Sequence, residues 1–159
     1  MQIYILRHGI AEDAPPGHPD EERALTDEGR EKLRAILKRA RASGVAPTTI
    51  LSSPYRRAVQ TAAVAAEVLE YKGKIRETRA LTPDASPHDL WEEIRSLGPE
   101  PAVLLASHEP LTSTAVAFLL GCPALEVQMK KGALVRIDCE RLSREPRGVL
   151  RWMLIPALV

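Results

Sequence analysis

Apolar residues are distributed along this chain in two ways: short unbroken runs, and longer stretches in which they return every three or four positions. The runs IYIL (Ile3 to Leu6), TTIL (Thr48 to Leu51) and AVLLA (Ala102 to Ala106) lack polar alternation, which predicts strands covered on both faces, as in a sheet flanked by helices. Between the first two, Thr26 has the features of an N-cap, with Asp27 and Glu28 in the first turn. Leu33, Ile36, Leu37 and Ala40 then form one helical stripe that ends near Ser43-Gly44. After the second run, Ser53 is the expected N-cap and Pro54 the first helical residue of SSPYRRAVQTAAVAAEVLE. IRET (Ile75 to Thr78) reads as a further strand, and Ser86-Pro87 opens a helix that buries Leu90, Trp91, Ile94 and Leu97. A helix from Pro110 to Leu120 stops at Gly121, and ALVRIDCE and VLRWMLI, joined by LSREPRG, predict an antiparallel edge. Strands alternating with helices and closing on a hairpin predict an α/β fold: a single domain over residues 1–159, three-layer α/β/α with a mixed, mostly parallel sheet.

Composition narrows the possible partners. Hydrophobic residues make up 45% and charged residues 27%, with 22 basic against 21 acidic side chains. No global charge marks a binder of nucleic acid or of a membrane surface, so any positive patch has to be local. The longest apolar stretch, Trp152 to Val159, is far shorter than a membrane span. Cys122 and Cys139 lack CxxC spacing, which predicts reduced structural thiols and a cytoplasmic protein. The histidines are too scattered for a metal signature such as HExxH, and no cofactor is expected.

The chemistry concentrates where strands end. LRHG at 6–9, LSSPYRRA at 51–58 and ASHEP at 106–110 each deliver Arg or His as the chain turns out of a strand, and the carboxyl edge of an open α/β sheet is where ligands bind. If these strands are neighbours, two arginines and two histidines share one pocket. The helix expected to begin at Pro54 could add free amide N–H groups to it. Guanidinium forks hold phosphate oxygens bidentately and stay charged. A histidine among cations is kept partly unprotonated and can attack phosphorus, which predicts a phosphohistidine intermediate. Gly9 is expected to let the backbone turn closely around this pair.

RHG after an N-terminal strand, then LTDEGREKL, SSPYRRAVQTA and SHEPL, resembles the histidine phosphatase superfamily, and the short chain with its RHGIAE…RALT opening is most similar to its SixA-type phosphohistidine phosphatase branch. The resemblance implies a phosphoglycerate mutase-like fold and a metal-independent phosphatase acting through His8 as nucleophile. Arg7 and Arg57 would be phosphate clamps, and His108 would donate to the phosphoryl oxygens. Arg56 falls at a variable position. Arg23 would reach the substrate phosphate or pair with Glu21 or Glu22, with the pairing slightly favoured.

The general acid is left open. Mutases of the superfamily take a Glu from the segment that here contains Glu77 and Asp84, neither in a matching motif. The acid-phosphatase branch places an Asp where this chain has Glu109, which is read equally as catalytic acid or as a cap of the following helix. A phosphohistidine substrate has a labile P–N bond and no strict need for that acid, and a short chain without a lid would admit a phosphorylated partner protein. The alternatives are a phosphatase of small phosphoesters with Glu109 as acid, and a silent phospho-ligand binding module on the same fold.

Overall fold

The structure is a computed structural model that describes all residues, Met1–Val159. Six strands form one sheet: β1 (Gln2–Arg7), β2 (Thr49–Ser52), β3 (Arg76–Glu77), β4 (Ala102–Ser107), β5 (Leu134–Asp138) and β6 (Val149–Leu154). Their order is β3-β2-β4-β1-β5-β6, parallel from β3 to β1 and antiparallel for β5 and β6, so the mixed, mostly parallel sheet predicted from the sequence is found. Four helices cover it: α1 (Asp27–Ala42), α2 (Arg56–Val68), α3 (Pro87–Ser96) and α4 (Leu111–Leu119).

The unbroken apolar runs are explained by burial on both faces. Tyr4 and Leu6 of β1 pack with Leu33, Ile36 and Leu37 of α1 and Ala62 and Ala65 of α2. Ile3 and Ile5 point the other way, into Leu90, Trp91 and Ile94 of α3 and Leu111 and Leu119 of α4. Alternation therefore persists geometrically while both sets of positions are apolar.

Most predicted boundaries agree to within a residue or two. Thr26 caps α1 by accepting from Gly29 N, and Ser86 and Asp89 close a reciprocal capping box on α3. The IRET strand shrinks to Arg76–Glu77 at the exposed edge. The expected start of the second helix is corrected: Pro54 and Tyr55 precede the helix, which begins at Arg56 with Tyr55 in extended conformation and no side-chain cap. The Ser53 hydroxyl that would have capped it accepts from Tyr55 N ahead of the helix and is also bonded to His108. Both cysteines are free thiols, and no helix is long and apolar enough to cross a membrane.

Candidate active site

Register brings the three strand ends together. Arg7 pairs with Ser107 across β1 and β4, and Ser52 with Ala106 across β2 and β4. His8, His108 and Ser53 therefore leave adjacent strands at one level. His8, Arg57 and His108 are only 6%, 4% and 1% exposed, so the cluster sits inside the protein and its hydrogen bonds count for more than at a surface.

Gly9 is required here by crowding. A Cβ on it would lie 2.7 Å from Leu33 Cδ1 and 3.2 Å from the Gly29 carbonyl, and one on Gly29 would lie 2.3 Å from the Ile10 carbonyl. The two glycines let α1 press against the chain just after His8, which corrects the expectation of a turn to one of close approach.

His8 Nδ1 lies 2.7 Å from the Gly9 carbonyl, and Arg57 Nε donates to His8 Nε2 at 3.3 Å. Nδ1 can bond a carbonyl only as a donor, so Nε2 carries the lone pair. Burial, followed by the charges of Arg57, Arg7 and Lys131, holds His8 down at about 4. His108 is lowered to about 3 by burial and then by His8 and Arg57. The two rings lie 5.1 Å apart, and Tyr55 meets His108 edge-on at 5.0 Å while lying under the Arg57 guanidinium. That stacking accompanies the extended conformation of Tyr55 ahead of α2.

Arg57 Nη1 donates to the Asp20 carbonyl at 2.8 Å and Nη2 to the Asp20 carboxylate at 3.0 Å. Asp20 lies on a single 3-10 turn, Asp20–Glu22, within the Pro-rich segment between β1 and α1. Its other carboxylate oxygen accepts from Arg23 at 2.9 Å, and Arg23 Nε donates to the Glu12 carbonyl. The expected Arg23 pairing with Glu21 or Glu22 is thus corrected to Asp20, because the 3-10 turn sets Asp20 and Arg23 three residues apart on one side. Asp20, Ser53 and Tyr55 were missed as functional candidates; an acidic residue in a loop and a Ser-Pro pair before a helix carry no signal that separates them from solvated or capping residues.

Arg7 Nη1 donates to the Met129 carbonyl at 2.6 Å, while Arg7 Nε and His108 Nδ1 are buried without a partner. Burial lowers Arg7, and the charge of Glu109 opposes that shift. The Glu109 carboxylate itself accepts from Thr112 Oγ1 and from Ser113 N, so it caps the first turn of α4. Beside it opens a cleft of about 510 Å³ lined by Arg7, Glu109, Glu126, Gln128, Met129 and Lys130, among others. Glu77 and Asp84 are both exposed, and neither bonds a member of the cluster. No group of three or more His, Cys, Asp or Glu side chains comes together as a metal site would require.

These shifts predict an acid-sensitive fold. Both histidines bind protons in the unfolded chain from near 6.5 but resist them in the folded state down to about 4 and about 3. Their stability contribution is complete above pH 6.5 and is lost as pH falls toward 4, with a slope approaching about 1.4 kcal/mol per pH unit for each group. Urea midpoints measured from pH 7.5 to 4.5 should fall more steeply for the wild type than for His108→Gln; equal slopes would show that His108 protonates freely in the folded protein.

Comparison with known proteins supplies the family. The model of the histidine phosphatase superfamily (branch 1) matches residues 3–82. The phosphohistidine phosphatase SixA of Escherichia coli K12 is 28% identical over 159 residues, covering 98% of this chain and 94% of its own. A structure of the protein histidine phosphatase SixA complexed with tungstate superposes with a TM-score of 0.88 at 27% identity, covering 99% of both chains. The mycobacterial glucosyl-3-phosphoglycerate phosphatase shares the fold, with a TM-score of 0.68 at 19% identity over 94% of this chain and 96% of its own. The chain belongs to the histidine phosphatase superfamily, branch 1, as a SixA-like phosphatase.

Proposed function

We propose that this phosphatase hydrolyses protein-borne phosphohistidine through a phosphoenzyme on His8. The observation that carries the reading is the state of His8 itself: a buried, unprotonated imidazole whose Nε2 lone pair faces the Arg57 guanidinium, with its Nδ1 proton tied to the Gly9 carbonyl. A ligand-binding site alone has no use for a nucleophile held ready in this way. The relation to SixA, whose structure accommodates tungstate, a tetrahedral oxyanion, supports the same reading.

In this mechanism His8 Nε2 attacks phosphorus as the P–N bond of the substrate breaks. A phosphohistidine that carries a proton on its other ring nitrogen leaves as neutral imidazole, so no ester-type acid has to act on it. Arg57 and Arg7 stabilise the charge on the transferring oxygens. Ser53 Oγ already accepts from Tyr55 N, so its own proton can be given to His108 Nε2. That leaves His108 Nδ1 as a donor for a phosphoryl oxygen. The incoming group competes with the Asp20 carboxylate for the terminal nitrogens of Arg57. Water then attacks the phosphorus on His8, releases phosphate and regenerates the imidazole.

Glu109 supports the choice of substrate class, because its carboxylate is engaged with Thr112 and Ser113 at the start of α4. Glu109→Gln, whose amide oxygen still accepts from Thr112 and Ser113, is expected to leave kcat on a phosphohistidine protein within about threefold and stability within about 0.5 kcal/mol. The test sets a phosphohistidine protein beside glycerol 2-phosphate, an alkyl ester whose alkoxide has to be protonated as it leaves, with both enzymes. Turnover of the ester alone, with a loss of about a hundredfold in Glu109→Gln, would assign Glu109 as general acid and move the substrate class to small phosphoesters.

A further inference from the structure

We propose that the cleft on the Lys131 side of Arg7 docks an acidic stretch of the phosphohistidine-bearing protein, next to the residue whose phosphoryl group is transferred. The proposal rests on the phosphohistidine reading above and adds the chemistry of the partner surface.

The cleft measures about 580 Å³ and shares Arg7 with the site. Lys32 of α1 and Lys130 and Lys131 of the turn before β5 supply its charge, over apolar groups of Ile10, Ile155 and Pro156. The lysine turn is fixed to the strand end that bears the nucleophile: Gly132 N donates to the Arg7 carbonyl at 3.2 Å and to the His8 carbonyl at 3.0 Å, and Ala133 N closes the turn on Lys130 O at 2.9 Å. Its charge is felt at His8. Lys32 pairs with Glu28 at 2.6 Å, whereas Lys130 and Lys131 are exposed and make no ion pair.

In a chain of net charge +1, such a grouping is a local departure. Lysine heads are mobile point charges and lack the rigid fork that selects a single phosphate. They suit carboxylates on a facing surface, where complementary charge favours encounter and fixes orientation. Leu158 and Val159, 79% and 50% exposed at the adjoining terminus, extend the apolar part of the surface. Carboxylates around an apolar contact, flanking the phosphohistidine, match this arrangement.

The test uses two synthetic peptides, each with one phosphohistidine, flanked by Glu in one and by Gln at the same positions in the other. Wild-type enzyme should favour the Glu peptide in kcat/KM by about three- to tenfold at low ionic strength, within the range of a few exposed ion pairs, and less in 0.5 M salt. The variant Lys130→Glu should lose or reverse that preference through KM, with kcat on the Gln peptide unchanged; Lys131, whose charge reaches His8, is left in place. Equal kcat/KM for both peptides in the wild type overturns the docking site while leaving the phosphohistidine reading intact. An equal loss on both peptides in the variant also overturns it, and assigns Lys130 a part in the reaction common to both peptides. Turnover of neither peptide, together with turnover of p-nitrophenyl phosphate, overturns both.

Discussion

Replacing His8 with alanine is expected to lower kcat on a phosphohistidine protein by about 10⁴-fold or more, the scale on which covalent catalysts lose rate with their nucleophile. The expectation follows from the uniqueness of the His8 Nε2 lone pair. It lies 3.3 Å from a guanidinium N–H, its position is held by the Gly9 carbonyl, and burial keeps it unprotonated. His108 cannot take over without rearrangement, because its Nε2 is bonded to Ser53 at 2.8 Å. Rapid quenching into alkali, where phosphohistidine survives, should trap acid-labile label on wild-type His8 and none on the variant. Label of equal yield on His8→Ala would assign the nucleophile to another residue, with His108 the first to examine. Absence of label and turnover in the wild type would return the binding-module reading. Tungstate titration separates the outcomes further: the variant should retain oxyanion binding, since Arg7 and Arg57 remain.

Arg57→Ala is expected to have the second largest effect, a loss of about 10² to 10³ in kcat/KM, comparable to removing one preorganised donor from an oxyanion site. Arg57 has a structural as well as an electrostatic part. Its three nitrogens bridge His8 and Asp20, so truncation releases the 3-10 turn and leaves the His8 lone pair without its donor. Arg57→Lys should recover only a small part of the loss, because a single ammonium cannot span partners on both sides. Measured by steady-state kinetics and tungstate binding, Arg57→Lys at more than half of wild-type kcat/KM would show that only charge is needed there. Asp20 would then have no part in orienting the clamp.

The fold was legible where local pattern and tertiary burial agree. The run from Ile3 to Leu6 is apolar throughout because both faces of β1 are covered. Thr26 and Ser86 cap their helices through contacts within a few residues, which sequence alone can encode. Ser53 has the same local signature and does not cap α2: its hydroxyl accepts from Tyr55 N ahead of the helix and also meets a histidine 55 residues away. The Asp20 contact to Arg57 likewise crosses 37 residues, and an acid in a Pro-rich segment gives no hint of it. Glu109 could be read two ways from sequence; the geometry at α4 shows its carboxylate on Thr112 and Ser113.

By itself the sequence determined the elements, the two covered faces of the central strands, and the residue types at their carboxyl ends, because periodicity, caps and strand termini are short-range properties. Only the tertiary structure decided that β4 lies between β1 and β2, and with it that His8, His108, Ser53 and Arg57 share one buried pocket. The position of Asp20 against Arg57 and the setting of the lysine turn beside Arg7 were decided at the same level. These are contacts between segments remote along the chain. They are fixed by which helix and sheet faces bury their apolar area against each other, and no local pattern of residues records that choice.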